Sequence, residues 1–271
     1  MMNIQDYKSY QRGIIFAGAP HCEKKLTEEE CSLLLKHYNG WFIRNLYDFD
    51  CKEKTSFWFV INDRPLTISD LPTKTRNQVR RALNTLDIKK VSSETMLDKN
   101  NGGYDVYFQS FSRYKDVTSK PVTKEIWSQW IKSRSDVEYW AAYNIETGKM
   151  IAYVDVLIQN GIAKYTAMKG IPAFLNKNYP FYGLLFIMQE YYVEKQRLRF
   201  VTDGARSVTE HSNIQSFLDK FRFRRAYCRI QIKYVWWVKI LISFLYPVRN
   251  IIPIKKIKYL LRFEAMQRGQ Y

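Results

Sequence analysis

Apolar and polar positions change period several times along the chain. Leu26 to Tyr38 carries apolar residues at helical spacing, with Thr27 placed to cap Glu28, Glu29 and Glu30 and Gly40 just beyond the end. Two β-rich runs follow, Trp41 to Phe49 and Ser56 to Ile61, parted by the polar Cys51 to Lys54. Pro72 opens a predicted helix from Thr73 to Leu83; Asp87 to Val91 reads as a short strand and Tyr104 to Tyr114 as a helix with an aromatic face. The polar stretch Lys115 to Lys120, closed by Pro121, marks a boundary. Beyond it, Thr123 caps a helix that carries Trp127, Trp130 and Ile131 on one side. Val137 to Asn144 and Lys149 to Gln159 are β-rich and joined at Glu146-Thr147-Gly148, and Asn160-Gly161 is a hairpin signal leading into Ile162 to Met168. After Pro172 and Pro180 come a long apolar helix, Phe181 to Lys195, a short strand, Leu198 to Thr202, a helix, Ser212 to Lys220, and a last strand, Phe223 to Lys233. The predicted organisation is residues 1–120, residues 121–234 and a tail, residues 235–271.

In the tail, Tyr234 to Val248 is an apolar run interrupted by Lys239 and shorter than the roughly 20 residues of a membrane-spanning helix. Two readings are open: an interfacial segment anchored by Trp236, Trp237 and Tyr246 with basic residues behind, or a final strand and helix packed on the domain. Charge adds weight to an anionic partner. The chain has 43 Lys+Arg against 26 Asp+Glu, a net +17, and from Arg222 onward basic residues far outnumber the lone acid, Glu264. Such a concentration predicts contact with tRNA or with the inner leaflet of a membrane.

The composition excludes long disorder, at 46% hydrophobic and 16% aromatic. Cys22, Cys31, Cys51 and Cys228 share no CxxC spacing, so no metal site and no disulfide framework is expected. Met1 to Tyr10 has no charged region followed by an apolar stretch, which predicts a cytoplasmic protein, peripheral on the inner face of the membrane if the tail docks there. No GxSxG, GxxxxGK[ST], HExxH or strand-linked GxGxxG occurs.

The element order of the second half, a helix and a three-stranded meander followed by helix, strand, helix and strand, resembles the GNAT acyltransferase superfamily. In the first half, the basic helix TKTRNQVRRAL, the strand IKKV and the aromatic helix YDVYFQSFSRY resemble the Fem-type aminoacyltransferases, which carry two GNAT-like halves with the first abbreviated. The segment from Asp203 to Arg229 adds Phe217, Lys220, Phe221 and Phe223 in a similar pattern, with Arg222 where the family often has a small residue. The likeness spans Leu71 to Tyr234. It implies an α/β (α+β) fold with a mixed, largely antiparallel sheet flanked by helices, preceded by an abbreviated GNAT-like half. It also implies transfer of an acetyl or aminoacyl group to an amine or hydroxyl of a cell-envelope glycan or lipid-linked precursor. The alternatives are acetyl-CoA-dependent N-acetylation of a small molecule and a non-catalytic tRNA- or membrane-binding module. Acetyl-CoA or another acyl-CoA is one expected donor, aminoacyl-tRNA the other. CoA-binding members usually place several glycines ahead of the central helix, so that backbone N–H groups approach the pyrophosphate; here NKNYPFYGLLF offers only Gly183.

The resemblance implies a reaction centre where the fourth and fifth strands splay, at the ends of Ile162 to Met168 and Leu198 to Thr202. Candidate residues follow there. Asp203 is a base or orienting carboxylate, or else a turn residue before Gly204; His211 is a base near neutral pH, or a solvated loop histidine. Arg206 is a clamp for a phosphate or carboxylate, or a surface ion-pair partner, and Glu210, Asn213 and Tyr165 complete the substrate side. Lys177, Tyr179 and Gly183 are candidates for the donor, as are Arg76 and Arg80, which share one face of the basic helix with a solvated-face reading beside it.

Overall fold

The computed structural model describes residues 2–100, 102–113, 120–206 and 214–270. In chain order the elements are β1 (Tyr7–Tyr10), β2 (Gly13–Phe16), α1 (Glu28–Tyr38), β3 (Phe42–Tyr47), β4 (Phe57–Asn62), α2 (Thr73–Thr85) and β5 (Leu86–Val91). Next come α3 (Ser93–Leu97), α4 (Gly103–Ser110), α5 (Lys124–Ser133), β6 (Val137–Asn144), β7 (Met150–Gln159) and β8 (Ile162–Gly170). The chain closes with α6 (Pro172–Leu175), α7 (Pro180–Gln189), β9 (Phe200–Ala205), α8 (Ile214–Leu218), β10 (Arg224–Tyr234), α9 (Trp236–Leu245) and α10 (Lys255–Gln267).

Local chemistry explains most of these boundaries. Thr27 and Glu30 form a reciprocal capping box that starts α1, and Asn39 ends it in the left-handed conformation. Ser92 caps α3 and Thr123 caps α5 through their hydroxyls. Asn160 at φ 48 and Gly161 at φ 75 make the tight turn that sets Gln159 opposite Ile162. The short helices α3 and α6, helix α10 and the β1–β2 hairpin were not anticipated, and one expected helix differs in form. The β1–β2 hairpin turns on Gln11 and Arg12, both at positive φ, residue types that give no turn signal. The helix expected to run from Phe181 to Lys195 is α-helical only to Gln189 and widens into a π-helix over Glu190–Lys195. That widening turns the Tyr192 hydroxyl to accept from Trp140 Nε1 at 2.8 Å and to donate to Glu138 at 2.7 Å.

Contacts divide the chain into two compact units, the first made of residues 1–60, 205–213 and 225–271, the second of residues 61–204 and 214–224. In the first unit β1 pairs antiparallel with β2, β2 parallel with β3, and β3 antiparallel with β10. Helix α1 covers one side with Cys31 and Leu34 against Ile14 and Ile43, while Phe263 and Met266 of α10 pack with Leu46, Cys228 and Ile232. Helix α9 adds a satellite core in which Val238, Ile242 and Tyr246 meet Leu261 and Ala265.

In the second unit β5, β6, β7 and β8 form an antiparallel run, and β9 joins β8 in parallel. One cluster is built from Met96, Val106, Tyr107, Trp127 and Ile131 on helices α3 to α5 against Tyr139, Tyr143 and Tyr153 of the sheet. Helix α7 packs against α2, β5, β6 and β7, and its Leu184, Leu185 and Met188 are fully buried. Gly183 makes the close α2 approach possible: a Cβ there would lie 3.0 Å from Ala82 Cβ and 2.4 Å from Ile88 Cδ1.

Candidate functional site

The parallel pairing of β8 with β9 extends only over Ile162↔Phe200, Ala163↔Val201 and Lys164↔Thr202. Past these rungs β8 runs on to Gly170 and β9 to Ala205 with no register between them, so the strands part at Tyr165 and Asp203. Parallel neighbours in register face the same way and side chains alternate, which puts Tyr165 and Asp203 on the same face of the sheet. The opening lies where the strand ends were expected to meet the reaction. A β-bulge adjoins it: Asp155 opposes Ala167 and Val156 opposes Tyr165, leaving Thr166 as the extra residue of β8. Arg134 pins the bulge, reaching Asp155 and the Thr166 hydroxyl at 3.1 Å each, and burial raises the Asp155 carboxyl to about 6 against the pull of that guanidinium.

Asp203 is mostly enclosed, and burial pushes its carboxyl up to about 6 while the Lys164 ammonium pulls the other way. Tyr165 is buried, its ring 6.3 Å from Phe223, and its hydroxyl makes no hydrogen bond among the described residues. Burial first, and the Asp203 charge second, push that phenol far above its ordinary value. Gly204 follows at φ 99, and its N–H donates to Thr202 Oγ1 at 2.9 Å, which turns the chain away from β8 directly after the carboxylate. Lys164 was not anticipated. Its signal was a lysine inside the otherwise apolar strand IAKYTAM.

The start of α7 differs from an anion cradle. Tyr179 takes the left-handed conformation at φ 53 and Pro180 follows at the first helical position, without an N–H to offer. The N–H groups of Tyr182 and Gly183 both donate to Tyr179 O, at 2.9 and 3.4 Å, so little of the helix terminus is left to meet phosphate. The rings of Tyr179, Tyr182, Phe217 and Phe221 stack edge-on or tilted, with centroids between 5.0 and 5.8 Å, so α7 and α8 close on each other through aromatic contacts. Lys220 Nζ lies 5.9 and 5.8 Å from the Tyr182 and Phe217 ring centres.

The other candidates are placed as follows. Lys177 is exposed between α6 and α7, and Gly183 faces α2 as described. Arg76 donates to Leu71 O at 3.2 Å and Ser69 O at 3.4 Å, while Arg80 is exposed on α2. Arg206 belongs to the first unit, where its N–H donates to Trp58 O at 2.9 Å, Nη1 to Ser56 O at 2.6 Å, and the guanidinium covers the Trp58 ring at 4.0 Å. Glu210, His211 and Asn213 lie outside the described residues. Among the described residues no group of three or more His, Cys, Asp or Glu side chains could hold a metal ion. No helix among them is long and apolar enough to cross a membrane.

No protein-family model and no curated protein sequence matches the chain. Solved structures do. FemX superposes with a TM-score of 0.54 at 9% identity, covering 81% of this chain and 81% of that one. The C-terminal domain described as that of a lysylphosphatidylglycerol synthetase from Agrobacterium fabrum superposes with a TM-score of 0.52 at 11% identity, covering 88% of this chain and 82% of that one. The fold is therefore that of FemX and of this synthetase domain, a mixed, largely antiparallel sheet flanked by helices.

Proposed function

We propose that the protein is an acyltransferase that carries out its chemistry at the opening between β8 and β9. The observation that carries this reading is the parting of the two strands after Lys164↔Thr202, which leaves Asp203 and Tyr165 on one face of the gap. An amine or hydroxyl entering the gap would give its proton to Asp203 as it attacks the acyl carbon. The tetrahedral oxyanion would then collapse with loss of the donor's oxygen or sulfur leaving group, which takes up the Tyr165 proton as Asp203 passes the proton it gained back to the phenol, so that both groups return to their starting state. No covalent enzyme intermediate is needed.

An aminoacyl ester is the favoured donor over acetyl-CoA. In support, Pro180, the bonded N–H groups of Tyr182 and Gly183, and the aromatic closure between α7 and α8 leave little for a pyrophosphate or pantetheine arm to bind. The net charge of +17 suits a tRNA as carrier. For the acceptor, the resemblance in sequence pattern favours an amine or hydroxyl on an envelope glycan or its lipid-linked precursor, the name of the lysylphosphatidylglycerol synthetase domain adds a lipid, and the basic tail suits the cytoplasmic face of a membrane. The test offers the purified chain radiolabelled aminoacyl-tRNA or radiolabelled acetyl-CoA with lipid-linked glycan and phospholipid acceptors. Label transferred only from aminoacyl-tRNA is the expected result. Transfer from acetyl-CoA alone would reverse the donor assignment, and no transfer from either would favour a binding module that kept the fold.

A further inference from the structure

Helix α9 is apolar on every side but buried on only one. Val238, Ile242 and Tyr246, spaced by four, face inward onto Leu261 and Ala265 of α10. The opposite face is formed by Trp236, Trp237, Ile240, Leu241 and Phe244, with Trp236 at 75% and Phe244 at 77% exposure. A helix lying on the surface of a water-soluble unit ordinarily turns charged residues outward; here Lys239 and Ser243 stand only at the margin of the outward arc. The segment after it continues the pattern, with Val248, Ile251 and Ile254 exposed.

Two independent features frame this face. Trp41, half exposed, meets Trp237 edge to face with ring centres 5.2 Å apart, and Arg12 lies over Trp41 at 5.8 Å. Aromatic residues with an apolar body and a polar tip, flanked by arginine, belong at a water–lipid boundary. Next to the helix is a cavity of about 360 Å³ lined by Arg249, Lys258 and Arg262 together with Asn250, Leu261, Ala265 and Gln270, and by no acid. Arg249 is braced there by the Tyr246 ring at 4.3 Å and by its bond to Tyr246 O at 3.2 Å. Residues 235–271 carry seven Lys or Arg against Glu264 alone, and Glu264 is buried and bound to Arg268 and Tyr234.

We infer that this surface docks on an anionic phospholipid bilayer: the outward face of α9 and the Ile251–Ile254 segment enter the headgroup–acyl boundary, and the cavity of Arg249, Lys258 and Arg262 receives a lipid phosphate. The apolar face would suit any hydrophobic partner, but the acid-free cationic cavity beside it and the tryptophan rim select a negatively charged lipid surface over a neutral one or a second copy of the chain. The inference deepens the membrane-side acceptor assignment made above but not the catalytic one, because neither β8 nor β9 contributes to it; vesicle binding can fail while transfer persists, and the reverse.

The test uses the full chain with vesicles of phosphatidylcholine and with vesicles that also contain phosphatidylglycerol, read by co-sedimentation and tryptophan fluorescence. Binding to the phosphatidylglycerol vesicles, weakened by salt and accompanied by a blue shift, is expected, with little binding to phosphatidylcholine alone. Trp236→Ser with Phe244→Ser should cut the affinity by about tenfold or more, and Arg249→Ala and Lys258→Ala by about fivefold each, since a cation near an anionic surface contributes on the order of 1 kcal/mol. Trp236, Phe244 and Lys258 are exposed, so melting temperatures of those variants should stay near that of the parent; Arg249→Ala also gives up its contacts to Tyr246 and is compared only with its melting temperature beside it. Absence of binding to anionic vesicles, or binding that none of these changes weakens, overturns the proposal. A lipid-free dimer that the Trp236→Ser, Phe244→Ser variant separates would do so too, by assigning the face to a second copy.

Discussion

Glu23 in the first unit and Asp203 in the second are both enclosed carboxyls whose burial raises their pKa, to about 8 and about 6. Their surroundings differ. Glu23 accepts the Leu46 N–H at 2.7 Å and lies in the field of the buried Arg44, so its oxygen is part of the framework that positions β3. Asp203 lies in the field of the Lys164 ammonium, makes no side-chain hydrogen bond among the described residues, and sits where two strands separate. A buried acid with a backbone partner contributes to structure. An enclosed acid with no backbone partner among the described residues, at a gap in a sheet, costs stability and marks a place to test for function.

The sharpest way to break this contrast is Asp203→Asn. Transfer should fall by about 10²–10⁴-fold, the range for loss of a general base, in the donor assay described above. Stability should move the opposite way. A carboxyl whose folded pKa lies above its unfolded value favours folding below the unfolded pKa and loses that contribution as pH rises through the folded one, here between 3.8 and about 6. At pH 7 the amide should therefore raise the unfolding free energy by on the order of 1–3 kcal/mol, measured by chemical denaturation. Retained transfer in this variant would remove Asp203 from the mechanism.

Tyr165→Phe is the next step down. If the unpartnered phenol supplies the leaving-group proton, the rate should fall by about 10–100-fold while the melting temperature stays level or rises, since no hydrogen bond is lost. An unchanged rate with a higher melting temperature would make Tyr165 a packing residue against Phe223.

Glu23→Gln should leave transfer intact, which is the smallest effect and the control for the comparison. Its signature is in pH dependence: the parent should lose stability as pH rises from 4.5 toward about 8, and the variant should flatten that slope. A steep loss of activity in Glu23→Gln would show that the first unit's carboxyl does more than hold β3.

The residues that carry local instructions were legible without coordinates. Thr27 and Thr123 as caps, Asn160-Gly161 as a two-residue turn, and the strands of the meander follow from short-range sterics and hydrogen bonding. Asp203 was a candidate because Asp-Gly stands at a strand end, and Tyr165 because the family resemblance puts the end of Ile162 to Met168 at the reaction centre; their roles await the variants above. The β1–β2 hairpin was not, since Gln11 and Arg12 hold positive φ only because the paired strands around them impose it. Lys164 was overlooked because its role depends on lying opposite Thr202, a partner set by parallel pairing across 38 residues of sequence, 202 − 164.

Helices α7 and α9 mark where the sequence ceases to decide. Both are strongly apolar, and hydrophobicity alone does not separate a core helix from one that keeps an apolar face uncovered. Leu184, Leu185 and Met188 are buried because α7 is packed among α2, β5, β6 and β7; Trp236 and Phe244 are exposed because α10 covers one face of α9 and, among the described residues of its unit, Trp41 touches only the edge of the other. Periodicity, caps and turns act within a few residues and so are written in the chain. The parting of β8 from β9, the enclosure of Asp203 and the uncovered face of α9 depend on which distant segments arrive beside them, and only the folded chain settles that.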